Sequence, residues 1–477
     1  MTETALPKRR RWAGPLIALL LAAVVVLVGL LASSIMERRW EHQRPALVLK
    51  PLPEWEPDNA RWGENYPFEY ESYLATKQDT STTLYGGSVP RDYLDEDPRL
   101  VILFAGYPFS VEYRQARGHY HAVEDVTGTK RTANPATVGT CMTCKSTDVP
   151  RLMAKLGVAE FYKTPFHELK QDIKHPIGCQ DCHDPVSMNL RITRPALREA
   201  FQAQGKSIDQ ASHQEMRALV CGQCHVEYFF KDKTYLTFPW QQGMAVEQML
   251  ATYEGNGHVD FVHPVSKTPI LKAQHPDYEL WATGIHAYRG VTCADCHMPY
   301  RTEGALKYTN HHVQSPLLDI ANSCAVCHRW SEEEVKARVE AIQGKVAALK
   351  LKVEDALVAA HFDVGAAAQA GADEAGLAEA RRLVRQAQFR WDFIAANNGM
   401  GFHSPQESMR VLADGVDLAQ QARLVCARLL AQKGISSPPR HPDVSTREKA
   451  WAVAQAFVQN QPIDLLGVAP PPAPASP

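Results

Sequence analysis

Ten of the 11 cysteines fall into five Cys-x-x-Cys pairs, all between residues 141 and 328. Chance spacing in a chain of 477 residues would supply roughly 0.2 such pairs. Four of them run on into histidine: Cys179-Gln-Asp-Cys182-His183, Cys221-Gly-Gln-Cys224-His225, Cys293-Ala-Asp-Cys296-His297 and Cys324-Ala-Val-Cys327-His328. Cys-x-x-Cys-His is the c-type haem attachment signature, in which two thiols become thioethers and the next imidazole reaches the iron. A zinc or disulfide pair followed by a fortuitous histidine would account for one such motif, not for four. The remaining pair, Cys141-Met-Thr-Cys144-Lys145, has both thiols at the same spacing but ends in lysine. An amine ligates iron only as the neutral base, a form that burial and metal coordination favour. The expectation is five covalently bound haem c groups, one of them ligated by Lys145.

Five macrocycles held by so short a stretch leave too little chain to wrap each one separately. They must form much of the core and lie near one another, which makes a route for several electrons. The eleventh cysteine, Cys426, lies on an apolar helix face and reads as a buried core thiol. Lys+Arg and Asp+Glu number 51 and 53, for a net charge of -2. That balance lacks the basic excess a nucleic-acid surface needs, so no nucleic-acid partner is expected. Hydrophobic residues at 45% are too many for a disordered chain.

The elements that must position these motifs divide the chain in four. Residues 1–36 carry the basic cluster Lys8, Arg9, Arg10 and Arg11 ahead of an apolar run over residues 13–32. A cleaved leader has an apolar core of about 7–15 residues and a membrane span about 20, so the run reads as an uncleaved anchor or a long signal peptide. Either exports the rest of the chain to the periplasm, with the amino terminus left in the cytoplasm. Residues 37–330 form the haem-bearing domain. Residues 331–435 read as long helices: Ser331 and Glu334 have capping-box spacing, and Val335, Val339, Ile342, Val346, Leu349 and Val353 recur at steps of four and three, a seam suited to a subunit interface. Further helices are expected over 374–396 and 406–432, ended by Gly434. Residues 436–477 read as a tail with a Pro/Ala-rich end. The fold class expected is mainly α, a multihaem cytochrome c core of short irregular segments with a C-terminal bundle of long helices.

One Cys-x-x-Cys-Lys followed by four Cys-x-x-Cys-His, together with Arg117-Gly118-His119, the continuation of the third motif into Val226-Glu227-Tyr228, and Ser266-Lys-Thr-Pro-Ile-Leu-Lys272-Ala-Gln274-His275-Pro276, resembles the pentahaem, ammonia-forming cytochrome c nitrite reductases over residues 105–435. The sequence alone does not choose His119 over His121, or His311 over His312. The resemblance implies His119 as second ligand of the Cys224 haem, His286 for Cys327, His311 for Cys182 and His403 for Cys296. It leaves the Lys145 haem open on its distal side, with Arg131, Tyr228 and His275 around the substrate. It also implies a calcium site of Glu227, Gln274 and the carbonyls of Tyr228 and Lys272, hard oxygen donors of the kind Ca²⁺ prefers.

The activity implied is the six-electron reduction of nitrite to ammonium. The expected partners are nitrite, a membrane quinol-oxidising multihaem cytochrome or a soluble multihaem cytochrome as electron donor, and a second copy in a homodimer. Two other readings stand beside it: an electron conduit with no substrate of its own, and a multihaem enzyme acting on hydroxylamine or sulfite.

Overall fold

The computed structural model describes residues 13–43, 49–304, 306–461 and 463–467. The Lys8–Arg11 cluster and the Pro/Ala end from residue 469 lie outside them. The five longest described helices are α1 Ala13–Gln43, α2 Glu332–Gln369, α3 Glu374–Ala395, α4 Pro405–Gln432 and α5 Arg447–Val458. Between α1 and α2 the chain makes short helices and four two-stranded antiparallel hairpins. The largest of these pairs Tyr300–Glu303 with Leu306–Thr309.

Each long helix starts where local chemistry supplies a cap. Ser331 Oγ accepts from Glu334 N while Glu334 accepts from Ser331 N, and Glu332, Glu333 and Glu334 place negative charge against the amino-terminal dipole of α2. Asp373 caps α3 through Gly376 N at 2.8 Å, and Pro405 opens α4, where its missing N–H costs nothing. Gly434, at φ +74°, ends the α4 region in the left-handed conformation that favours glycine.

The expected seam is used inside the chain. Val335 and Val339 are buried against Ile320, with Leu317, Cys324 and Phe402 packed around them. Val346 meets the backbone of Gly401, where a Cβ would lie 2.8 Å from it, and Val353 faces Gly415 on α4. Ile342 and Leu349 are half-buried. This heptad-like pattern therefore packs α2 on its own chain before any partner is considered. Cys426 is fully buried on α4, as its apolar surroundings foretell.

Residues 436–477 are more than a tail. Thr446 caps α5, which buries Ala450 and Ala454, and Arg447 reaches Asp95 and Asp92 at 2.6 and 3.2 Å. The helix is short and alanine-rich, so its apolar stripe is too weak to read from sequence. At the other end α1 contains a segment, Gly14–Glu37, of mean hydropathy 3.0, long and apolar enough to cross a membrane and exposed along its length.

Candidate functional site

Each of the four motif histidines faces a histidine from elsewhere in the chain. Ring centres are 6.3 Å apart for His119 and His225, 6.3 Å for His183 and His311, 6.3 Å for His286 and His328, and 6.2 Å for His297 and His403. Metal–imidazole nitrogen bonds of about 2.0–2.1 Å on opposite sides of one ion put two ring centres roughly 6 Å apart. Direct imidazole contact would bring them closer. The chain's own geometry thus fits an iron between each pair.

Hydrogen bonds decide which nitrogen is free. Nδ1 of His183 donates to the Met188 carbonyl at 2.9 Å, Nδ1 of His297 to Gln314 at 2.9 Å and Nδ1 of His311 to Thr309 at 2.7 Å. Each bond fixes the tautomer that leaves Nε2 as a ligand atom. Burial also keeps these rings neutral, pushing His119, His297 and His311 down to about 4. The neighbours that the sequence could not separate are occupied otherwise. His121 Nδ1 pairs with Glu124 at 3.2 Å, and His312 Nε2 with Asp79 at 3.2 Å.

The motifs also lie against one another. Cys144 and Cys224 interact side chain to side chain, and so do Cys221 and Cys293. Gln223, inside the third motif, donates through Nε2 to the Asp181 carbonyl inside the second at 2.9 Å, and Arg217, four residues before Cys221, reaches Asp295 of the fourth at 2.8 Å. The third motif therefore lies against the first, second and fourth.

Around the first motif the structure gathers the groups singled out in the sequence. Burial pushes the Cys141 thiol up to about 11, against the opposing charges of Arg131 and Lys145. Lys145 also lies near His119, His225 and His275. Burial holds the Tyr228 phenol well above its ordinary value, with Cys144 and Cys141 the next largest influences. Arg131 sits on a short turn, its guanidinium 4.4 Å from the Phe109 ring centre and its Nε donating to Thr129 Oγ1 at 3.3 Å.

The oxygen-rich set lies beside this cluster. Glu227 is buried, and its carboxylate accepts from Tyr253 Oη and Gln274 N, each at 2.6 Å. Gln274 Nε2 donates to the Lys272 carbonyl at 3.0 Å, so Glu227, Lys272 and Gln274 are brought together. The Lys272 ammonium points elsewhere, to Asp392 on α3 at 2.9 Å, under the rings of Phe104, Phe109 and Tyr113. Burial raises Glu227 well above the carboxylate range and Glu279, which accepts from Glu227 N, up to about 7. Lys272 pairs with Asp392, so Glu227 and Glu279 are held as buried acids that a bound cation would convert to carboxylates.

The sequence profile of the family described as cytochrome c552 matches residues 58–465. The chain belongs to the cytochrome c552 family. It is similar to proteins named cytochrome c-552 in Bacteroides fragilis (strain ATCC 25285), 47% identical over 454 residues, covering 93% of this chain and 92% of the relative, and in Porphyromonas gingivalis (strain ATCC BAA-308 / W83), 46% identical over 452 residues, covering 93% and 91%. Among solved structures it resembles the cytochrome c nitrite reductase from Desulfovibrio desulfuricans ATCC 27774, with a TM-score of 0.76 and 30% identity over 88% of this chain and 92% of that one. That protein is described as having two calcium sites in its catalytic subunit.

In this cytochrome c552-family chain, several residues at the site had no sequence signal. Tyr253 bonds to Glu227, Phe109 stacks on Arg131, and Asp277 meets His275 and His225 while held by Asn397 and Asn398, yet none of these five belongs to a spaced motif. Only Asp277, two residues after His275, lay near enough in sequence to invite attention.

Proposed function

We propose that this chain reduces nitrite to ammonium, NO₂⁻ + 8 H⁺ + 6 e⁻ → NH₄⁺ + 2 H₂O, at the site built on Cys141, Cys144 and Lys145. The observation that carries the reading is the set of four histidine pairs at 6.2–6.3 Å. They commit eight histidines to four centres and leave the Lys145 motif as the one set apart for substrate. In this reading His119, His286, His311 and His403 are the second ligands of the haems bound at Cys224, Cys327, Cys182 and Cys296. Bound haem would supply one-electron steps and, at Lys145, an iron position open to nitrite.

The chain's residues do the rest. Arg131, clamped by Phe109 and Thr129, presents a permanent positive charge that attracts the anion and hydrogen-bonds its oxygens as N–O bonds weaken. His275 keeps Nδ1 on Asp277 at 2.9 Å, so its Nε2 is the end left free to take up a proton and pass it on. Tyr228 holds a phenol that burial keeps protonated, able to orient intermediates and relay protons. Glu227, Gln274 and the carbonyls of Tyr228 and Lys272 would hold a calcium ion, whose charge offsets the buried carboxylates and stiffens the segment carrying Tyr228.

We further read α1 as a membrane anchor that holds the catalytic part in the periplasm, a multihaem cytochrome as the electron donor, and a homodimer as the working form. The deciding experiment supplies the purified protein with reduced viologen and nitrite and measures ammonium. Stoichiometric ammonium is expected; nitrite left unconsumed, with all haems reduced, would favour the conduit reading.

A further inference from the structure

His225, His275 and Asp277 present ligand-type atoms within 4.8 Å of one another, in the manner of a small metal site. The hydrogen bonds point to a different use. Asp277 Oδ2 accepts from His275 Nδ1 at 2.9 Å and lies 3.4 Å from His225 Nδ1, and the two rings meet edge to face with centres 5.0 Å apart. The other oxygen, Oδ1, accepts from Asn397 Nδ2 at 2.5 Å and Asn398 N at 3.1 Å. Asn398 Nδ2 adds a bond to Oδ2 at 3.3 Å. The carboxylate is buried, held from the loop between α3 and α4, and saturated with donors. A metal ion there would have to displace bonds that are already made.

We infer that Asp277 is a positioning residue shared by two redox centres, one carboxylate oxygen holding both the iron-ligand histidine of the third motif and the distal histidine of the first. The inference rests on the reading of His225 as an iron ligand and His275 as a group facing substrate. Its physical content is a tautomer argument. A carboxylate only accepts, so each imidazole must carry its proton on Nδ1. That leaves Nε2 of His225 for iron and Nε2 of His275 for substrate. Donors from His275, Asn397 and Asn398 converge on both carboxylate oxygens, the setting in which a carboxylate rather than a carboxylic acid is favoured. A carboxylate 3.4 Å behind Nδ1 of His225 makes its ring a more electron-donating ligand than those whose Nδ1 is bonded only to carbonyls. Stronger donation and a nearby negative charge favour ferric over ferrous iron, so Asp277 keeps the potential of the third-motif haem low. A low-potential donor then sits beside the catalytic motif, through the Cys144–Cys224 contact, while the same carboxylate aims the proton source.

The test is Asp277→Asn in the full holoprotein, with haem content, redox titration of the individual low-spin signals and nitrite kinetics. The substitution removes the charge and keeps an acceptor. Haem content should be unchanged, and the midpoint potential of one low-spin haem should rise while the others stay. Nitrite kcat should fall roughly 10–100-fold, the range typical of partners behind a metal ligand, with little change in KM. Asp277→Glu should restore part of both. His275→Ala serves as the control: turnover should fall with no shift of that potential. Unchanged potentials in Asp277→Asn, or the same shift in His275→Ala, would overturn the bridge. Should Asp277→Asn fail to mature, Asn397→Ala frees Oδ1 and leaves both imidazoles in place. With one donor gone the carboxylate is more negative, so the same haem should shift the other way, to lower potential, and unmoved potentials there would count equally against the proposal. A wild type that makes no ammonium would remove the nitrite reading, while the potential shift would still uphold or sink the bridge.

Discussion

Lys272 pairs its ammonium with Asp392, 2.9 Å away, while its carbonyl stays beside Gln274. A buried lysine could have neutralised Glu227 directly. By pairing with α3 instead, it leaves Glu227 and Glu279 as buried carboxyl groups with no cation of their own, at a place where oxygen donors converge.

Calcium is therefore expected in the purified protein, and Glu227→Ala should remove most of it. Activity should fall on the order of tenfold or more, because Tyr228 is the next residue. Haem content should hold. Metal analysis beside nitrite turnover checks this, and full calcium with full activity in the variant would reject the site.

The Lys145 centre should differ spectroscopically from the others. With eight histidines committed to four pairs, one high-spin signal is expected among four low-spin ones. Nitrite or cyanide should perturb that signal first in an EPR titration. Five low-spin centres unresponsive to both would instead describe an electron conduit.

On the proposed reading Arg131→Ala removes a fixed charge from the substrate's oxygens, and the loss of one such donor typically costs about 10²–10³ in rate. The fall should appear in nitrite turnover, with reduction of the haems by viologen unaffected. Arg131→Lys should rescue poorly, since an ammonium lacks the planar fork that stacks on Phe109.

The α2 seam supports a stability prediction rather than an assembly one. Val353 is fully buried against α4, so Val353→Ala should cost about 2 kcal/mol in lost burial and cavity formation. A lower thermal midpoint with an unchanged mass by light scattering is the expected pair of results. A midpoint that stays put while a dimer falls apart would return the seam to the subunit interface.

Fractionation of cells should find the protein with the membranes, carried by α1. A mature chain that begins near Ser34 and is recovered wholly in the periplasmic fraction would show the apolar run to be a cleaved leader.

What the sequence determined by itself is chemistry written over a few residues. Thiols three positions apart followed by an imidazole are attachment sites wherever they fold, and Ser331 with Glu334 closes a capping box because both lie within one helical turn. The three helices after Ser331 were legible to within one or two residues for the same reason. The apolar seam was legible as a seam, but not what it meets, since the same stripe serves a partner subunit or, as here, Gly401 and Gly415 of its own chain. The tertiary structure alone turned His119 rather than His121 toward His225, and His311 rather than His312 toward His183. Adjacent histidines are equivalent in composition. They become different only when Glu124 and Asp79, brought in by the fold, occupy one member of each pair. Asp277 belongs to the same class: its two imidazoles and two asparagines come from three separate stretches of chain, and only packing puts them around one carboxylate.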